Sequence, residues 1–86
     1  MQTIWITGGS SGIGFAVAKK FLEENWRVII SSRNEEKLNK AVEKLKKQTN
    51  KKEIFYKACD VSNYIDVKDA VEYIETDISK IDIALL

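Results

Sequence analysis

The sequence predicts an α/β fold in which an open parallel sheet carries helices on both faces. Two patterns indicate it: short continuous apolar runs typical of strands buried on both sides, and longer segments between them with apolar residues at helical spacing. They alternate as βαβαβαβ. A third observation, four glycines within Gly8–Gly14, marks the first junction between a strand and a helix. Ligands of such sheets bind outside the C-terminal ends of the strands, so this junction is the first candidate site.

The first strand, helix and strand form a βαβ unit. Residues 2–6 are predicted to be a strand buried on both faces, and residues 13–24 a helix that stops at Asn25. Residues 26–31 carry the apolar run of a second strand. Parallel strands with a right-handed crossover are expected.

The rest of the chain repeats this alternation. The predicted elements are a helix from Asn34 to about Gln48, a third strand over Glu53–Cys59, a helix that begins after Ser62 or Asn63 and runs through Ser79, and a fourth buried-type strand over Ile81–Leu86. We find no internal domain boundary, repeat or low-complexity tract.

Composition describes one soluble globular unit. The 86 residues are 44% hydrophobic, with 14 basic and 13 acidic side chains and no histidine. A net charge of +1 with interspersed lysines gives no electrostatic basis for nucleic-acid binding, and no apolar run reaches the length of a membrane span. Cys59 alone forms no internal disulfide or thiolate metal site, and Met1 leads almost directly into the first strand, so we expect a reducing, cytoplasmic compartment.

The glycine cluster predicts an anion site, because a strand that turns through glycines into a helix leaves backbone N–H groups at the positive end of the helix dipole. The sequence argues against a triphosphate-binding loop, since Phe15 and Ala16 stand where such a loop needs Lys and a hydroxyl. The G-x-G-x-x-G dinucleotide spacing does not fit these glycines either. An unliganded glycine turn stays the alternative.

Thr7, Gly8, Gly12 and Gly14 match the Thr-Gly-x-x-x-Gly-x-Gly motif, and the chain therefore resembles the short-chain dehydrogenase/reductase family. The resemblance implies a Rossmann-type fold and a loop that binds the pyrophosphate of NAD(P). It also implies that Gly8 makes the tight turn, Gly12 lets the backbone approach phosphate and Gly14 permits close helix–strand packing. The other residues implied to line the loop are Ser10, Ser11 and Ile13.

Two further positions carry the resemblance. Asp60-Val61 stands where the family places an Asp and a small apolar residue near the adenine ring, although an Asp before a helix is more often a cap. Members of the family recognise the ribose of the cofactor through residues at the end of the second strand, where this chain has Ser31-Ser32-Arg33. Without a carboxylate there, and with the guanidinium of Arg33 suited to a phosphate monoester, NADP(H) is predicted rather than NAD(H). The alternative is that Arg33 is a solvated residue beside two glutamates.

The resemblance covers the whole chain but only the first third of a typical family member. Residues 1–86 are therefore predicted to be the incomplete, N-terminal NADP(H)-binding part of a Rossmann-type domain, which binds but does not catalyse alone. The family's catalytic Ser, Tyr and Lys come later, and Tyr64 and Lys68, which share the catalytic spacing, stand too early to be that pair. The alternative is a non-enzymatic, stand-alone nucleotide-binding or interaction module. An unpaired apolar strand at Ile81–Leu86 predicts either self-association or a longer native protein.

Overall fold

The chain folds as the predicted alternation of strands and helices. A computed structural model describes residues 1–10 and 12–86, in which the strands are β1 (Thr3–Thr7), β2 (Arg27–Ser31), β3 (Ile54–Tyr56) and β4 (Ile83–Leu85), and the helices are α1 (Gly12–Glu23), α2 (Glu35–Thr49) and α3 (Tyr64–Asp77).

The strands form one parallel sheet in the order β3-β2-β1-β4. In its centre Ile4 of β1 lies between Val28 of β2 and Ile83 of β4. The chain moves from β1 outward to β2 and β3, and then crosses back to place β4 on the other side of β1. The C-terminal end of β1 is therefore the switch point of the sheet, where ligands of open α/β sheets bind.

Each face of the sheet has its own apolar core, as the sequence predicts. On one face α1 and α2 cover the sheet, and on the other α3 covers it. The buried residues of the first core include Ile4, Ile6, Leu22, Val28, Ile30, Leu38 and Leu45, and those of the second are Trp5, Ile29, Cys59, Ala70 and Ile74. Alternate residues of β1 and β2 thus enter opposite cores, which confirms that these strands are buried on both faces.

Helix α1 ends at a left-handed residue, in agreement with the predicted stop. Asn25 has φ +68°, its N–H donates to the carbonyl of Leu22, and the N–H of Trp26 donates to the carbonyl of Phe21. These two bonds and the edge-on contact of the Trp26 and Phe21 rings, with centroids 5.0 Å apart, form a Schellman motif with its apolar contact.

Asparagine side chains cap the other two helices. The Oδ1 of Asn34 accepts from the N–H of Lys37 at the start of α2, and the Oδ1 of Asn63 accepts from the N–H of Asp66 at the start of α3. Asn63, rather than Ser62, is therefore the cap of α3.

The third and fourth strands are shorter than predicted. Beyond Tyr56 the contact with β2 continues only through single bonds, from the N–H of Lys57 to the carbonyl of Ile30 and from the N–H of Cys59 to the carbonyl of Ser32. Ile81–Leu86 has the composition of a buried strand, but every residue of β4 is exposed, in agreement with the prediction of an open apolar edge there. The cause is its position at the edge of the sheet, where only β1 pairs with it.

None of the three helices in the described ranges combines the length and the apolar character that crossing a bilayer requires.

Candidate functional site

The C-terminal ends of β1, β2 and β3 surround a cleft of about 450 Å³. It is lined by Thr7, Gly8, Ser31, Ser32, Arg33, Cys59, Asp60, Val61 and Ser62. A wider, more open cleft of about 740 Å³ adjoins it through Ser32 and Arg33 and reaches Ser10. The structure therefore brings together residues that the sequence places in three separate stretches.

Gly12, Ile13 and Gly14, which the sequence predicts as site residues, lie outside the two clefts. Gly12 and Gly14 begin α1, and Ile13 between them is 85% exposed. These residues are not among those that line the two clefts, as far as the described part of the chain defines them. Ser11 lies outside the described residues.

The loop after β1 turns at Gly8 and again at Gly12. Gly8 has φ +74° and Gly12 has φ +61°, both in the left-handed region that disfavours side chains. The N–H of Gly8 donates to the carbonyl of Ser31 at 2.7 Å, which extends the β1–β2 ladder into the loop. Around Gly12 a Cβ would meet no atom within 4 Å, so the backbone there is open to close approach.

Two other glycines are required by packing. A Cβ on Gly14 would fall on the carbonyl oxygen of Gly8. The close neighbour of Gly14 is therefore the loop itself, whereas the sequence predicts a strand. The contact between loop and strand belongs to Gly9, where a Cβ would lie 2.5 Å from Cγ2 of Ile30.

Two serines at the end of β2 have different environments. The Ser31 hydroxyl is buried and accepts a hydrogen bond of 2.8 Å from the indole N–H of Trp5. The Oγ of Ser32 is also shielded from solvent, but it has no hydrogen-bond partner among the described residues. A buried hydroxyl without a partner costs free energy, and the residue that carries it lines both clefts although the Oγ itself is out of solvent contact.

Asp60 is held in a tight turn that keeps its carboxylate ionised. Its Oδ1 accepts from the N–H and from the hydroxyl of Ser62, at 3.0 and 2.7 Å. These hydrogen bonds, aided by the positive charge of Arg33, hold the pKa of the Asp60 carboxyl below its usual value. Since Asn63 caps α3, the alternative that Asp60 is the helix cap is wrong.

Cys59 faces the same cleft as a neutral thiol. Cys59 is 3% exposed. Burial raises the pKa of its thiol, and the negative charges of Asp66 and Asp60 add to this shift, whereas the positive charge of Lys57 opposes it. The sequence interpretation of Cys59 as a small buried apolar residue agrees with this environment.

Arg33 is exposed, and the described ion pairs do not include it. The two nearby glutamates have other neighbours: Glu35 Oε1 lies 3.5 Å from the hydroxyl of Tyr56, and Glu36 lies 3.9 Å from the Nζ of Lys40. Arg33 is therefore a solvated residue without an ion pair to these glutamates, which fits the alternative and also leaves its guanidinium free to meet a ligand.

The start of α1 is the only helix N-terminus in the described ranges without a carboxylate in its first turn. Helix α2 has Glu35 and Glu36 there, and α3 has Asp66. The positive end of the α1 dipole is consequently not neutralised by the chain itself, which favours an anion from outside.

Sequence reasoning did not assign Gly9 and Ser62 to this site, and it named Thr7 only as the first residue of the glycine motif. Gly9 belongs to the glycine cluster, so its signal was present, but only the position of Ile30 shows why a side chain is excluded. Ser62 was considered as a cap, and nothing in the sequence says that its donors turn back to Asp60.

An open parallel sheet with a glycine turn at its switch point and helices on both faces is a fold of the Rossmann type. A family model described as short chain dehydrogenase matches residues 2–85. The chain belongs to the short-chain dehydrogenase/reductase family.

Curated relatives match almost the whole chain. Chlorophyll(ide) b reductase NOL of Oryza sativa subsp. japonica is 39% identical over 80 residues, which are 93% of this chain and 23% of that protein. Tropinone reductase-like 3 of Erythroxylum coca is 36% identical over 80 residues, which are 93% of this chain and 30% of that protein. The chain thus spans less than a third of the length of these relatives.

Solved structures show the same arrangement. A short chain oxidoreductase from Pseudomonas aeruginosa PAO1, described as NADPH bound and as containing an atypical catalytic center, superposes with a TM-score of 0.90 at 30% identity, over 96% of this chain and 32% of that one. L-sorbose reductase from Gluconobacter frateurii, complexed with NADPH and L-sorbose, gives 0.86 at 30% identity, over 96% and 31%. Both structures hold NADPH, which agrees with the prediction of NADP(H) over NAD(H).

Proposed function

We propose that this chain binds NADP(H) and serves as the nucleotide-binding part of an oxidoreductase. The observation that carries the proposal is the meeting of the glycine turn, Ser32, Arg33 and Asp60 at the C-terminal ends of three neighbouring strands. The predicted binding residues are Gly8, Ser10, Ser11, Gly12, Ile13, Gly14, Ser32, Arg33, Asp60 and Val61. Family membership and the NADPH-bound neighbours support the same conclusion.

The chemistry of the described residues fits such a cofactor. The start of α1 offers N–H donors and an uncompensated positive dipole end to a pyrophosphate. Ser32 offers a buried hydroxyl without a partner, and Asp60 offers an ionised acceptor beside the exposed apolar side chain of Val61. A planar base with exocyclic amino groups needs this combination of acceptor and apolar contact.

The preference for a phosphorylated ribose follows from what stands after β2. An acidic residue there would accept from both free ribose hydroxyls and repel a 2′-phosphate, whereas Arg33 offers a planar set of N–H donors. The glutamates that follow are directed toward Tyr56 and Lys40.

When bound, the nicotinamide supplies hydride chemistry, and a whole family member would move that hydride between the cofactor and a carbonyl or alcohol. The residues of this chain hold and orient the adenosine and phosphate part. We propose binding without turnover for these 86 residues alone. A stand-alone nucleotide-binding or interaction module stays the second candidate, and the exposed apolar strand β4 favours it.

Titration of NADPH and NADH against the chain tests the cofactor assignment. We expect NADPH to bind more tightly, and we expect Arg33→Ala to weaken NADPH about tenfold, equivalent to roughly 1.4 kcal/mol, because a charge-assisted contact to phosphate is lost. NADH affinity should change little. Isothermal calorimetry of both ligands measures this.

Lys52→Ala is the matched control, since it removes one exposed positive charge in the turn between α2 and β3. It should leave both affinities unchanged. Equal affinity of the unmutated chain for NADPH and NADH would contradict the role of Arg33, and absence of binding by either would contradict the proposed function.

We also propose that β4 pairs with β4 of a second copy of this chain. Ile83 and Leu85 are 43% and 44% exposed, and Leu86 is 81% exposed. An open strand edge with apolar side chains favours pairing with another chain, and an antiparallel pair about a twofold axis satisfies both copies alike.

A further inference from the structure

Lys37 is a second cation at the cleft that Arg33 lines. It lies in the first turn of α2, and its side chain lines the 740 Å³ cleft together with Ser10, Ser32 and Arg33. Lys37 is exposed, and the described ion pairs do not include it. Two cations and two hydroxyls therefore border one concave surface.

The two carboxylates of the same turn have partners other than Arg33 and Lys37. Glu35 lies on the rim of the same cleft, but its Oε1 is 3.5 Å from the hydroxyl of Tyr56, on the side of β3. Glu36 is 3.9 Å from the Nζ of Lys40, one turn further along α2. Each glutamate thus has a neighbour that draws it away from Arg33 and Lys37.

The hydroxyl at the junction of the two clefts adds an independent indication of a ligand. Ser32 Oγ is shielded from solvent and has no hydrogen-bond partner among the described residues. That donor is unsatisfied but out of solvent contact, so a phosphate oxygen would reach it only after rotation of the Ser32 side chain, while a dianionic group needs more than one cation for good compensation. Arg33 supplies a planar set of donors, and Lys37 supplies a mobile point charge.

We propose that Lys37 is a specificity-determining residue, which acts with Arg33 on the 2′-phosphate of NADP(H). This rests on the proposed function. Tyr56 is a positioning residue in this arrangement, because its hydroxyl holds Glu35 on the β3 side of the cleft. Lys37 therefore favours the phosphorylated ribose by attraction, and Tyr56 favours it by restraining a repulsive carboxylate.

Two probes that differ by one phosphate isolate this contact: adenosine 2′,5′-bisphosphate and adenosine 5′-monophosphate. We expect the unmutated chain to prefer the bisphosphate. Lys37→Ala should reduce that preference about three- to tenfold, as expected for one partly solvated charge contact, and should leave the affinity for the monophosphate unchanged. Lys37→Arg should restore most of the preference, and Tyr56→Phe should lower it in the same direction as Lys37→Ala.

Lys47→Ala is the matched control, since it removes an exposed positive charge in the last turn of α2, away from the cleft, and should leave the preference unchanged. The proposal about Lys37 is overturned if Lys37→Ala leaves the preference intact, or if it weakens both probes equally. If the unmutated chain binds neither probe, the proposed function fails as well. Binding of both probes with no effect of Lys37→Ala removes only the role of Lys37. Circular dichroism of each variant establishes that it is folded.

Discussion

At the scale of single residues, Asp60 shows how a loop carboxylate is kept ionised without being buried. Two hydrogen bonds from Ser62 favour its charged form, and Arg33 adds a favourable charge. An Asp carboxylate is ionised at neutral pH in any case, and the lowered pKa extends the ionised state further into the acidic range. Because these hydrogen bonds lower the pKa of Asp60 in the folded state, they also make the stability of the fold depend on pH.

The sign of that dependence follows from the lowered pKa. Asp60 contributes stability above the unfolded Asp value of about 3.9, and the contribution is lost as pH falls through the lower folded value. We expect Ser62→Ala to raise the titration midpoint of the Asp60 carboxyl toward about 3.9. NMR titration of the carboxyl carbon measures it. Ser79→Ala, at the far end of α3, should leave the midpoint in place, and an unchanged midpoint in Ser62→Ala would contradict the assigned cause.

The sequence predicted which residues meet at this site better than it predicted what each one contacts. Gly8, Ser32, Arg33, Asp60 and Val61 line one cleft, as expected from the strand ends. Lys37 went unnoticed, because the direction of its side chain depends on where α2 begins and on which neighbours its glutamates have. Those are tertiary facts that spacing along the chain does not contain.

At the scale of elements, helix and strand ends were predicted well where side chains form local caps. Asn25 and Asn34 are boundaries in the sequence and in the structure, because each acts on backbone within a few residues. The lengths of β3 and β4 were overestimated. Apolar runs continue beyond the paired residues there, and pairing at a sheet edge depends on a neighbour that lies far away in the sequence.

The cap of α2 gives a prediction at this scale. Asn34→Ala removes the acceptor for the N–H of Lys37, so we expect the free energy of unfolding to fall by about 1 kcal/mol. Urea unfolding followed by circular dichroism measures it. Asn39→Ala, an exposed position inside the same helix, should be neutral or slightly stabilising, because alanine has the higher helix propensity. Equal losses in the two variants would show that the cap contributes nothing specific.

At the scale of the whole molecule, the alternation of elements predicted a parallel sheet with its ligand site after the first strand, whereas the order β3-β2-β1-β4 comes from the structure. The two cores follow from it, since each βαβ crossover covers one face. The open edge at β4 was expected from the sequence. Its composition is that of a buried strand, yet its side chains are exposed in this chain.

This mismatch predicts self-association through β4. Ile83 and Leu85 pair with Ile4 and Ile6 and lie beside the apolar core that α1 and α2 cover. We expect the weight-average mass in sedimentation to rise with concentration toward a dimer, and Leu85→Lys to shift the chain to monomer, because an edge lysine opposes strand pairing. Ile65→Lys, at an apolar α3 residue that is 67% exposed, is the control and should not do so. A monomer at every concentration would contradict the proposal.

The hydrogen bond between Trp5 and Ser31 gives the chain a built-in optical reporter. The buried indole N–H of Trp5 donates a hydrogen bond to the hydroxyl of Ser31, and the backbone carbonyl of Ser31 accepts one from the N–H of Gly8. One residue of β2 thereby connects a fluorophore in the core to the loop at the rim of the cleft. Trp26, the other tryptophan, precedes β2 and packs on Phe21 at the opposite end of the sheet. One indole is thus connected to the cleft through Ser31, and the other lies away from it.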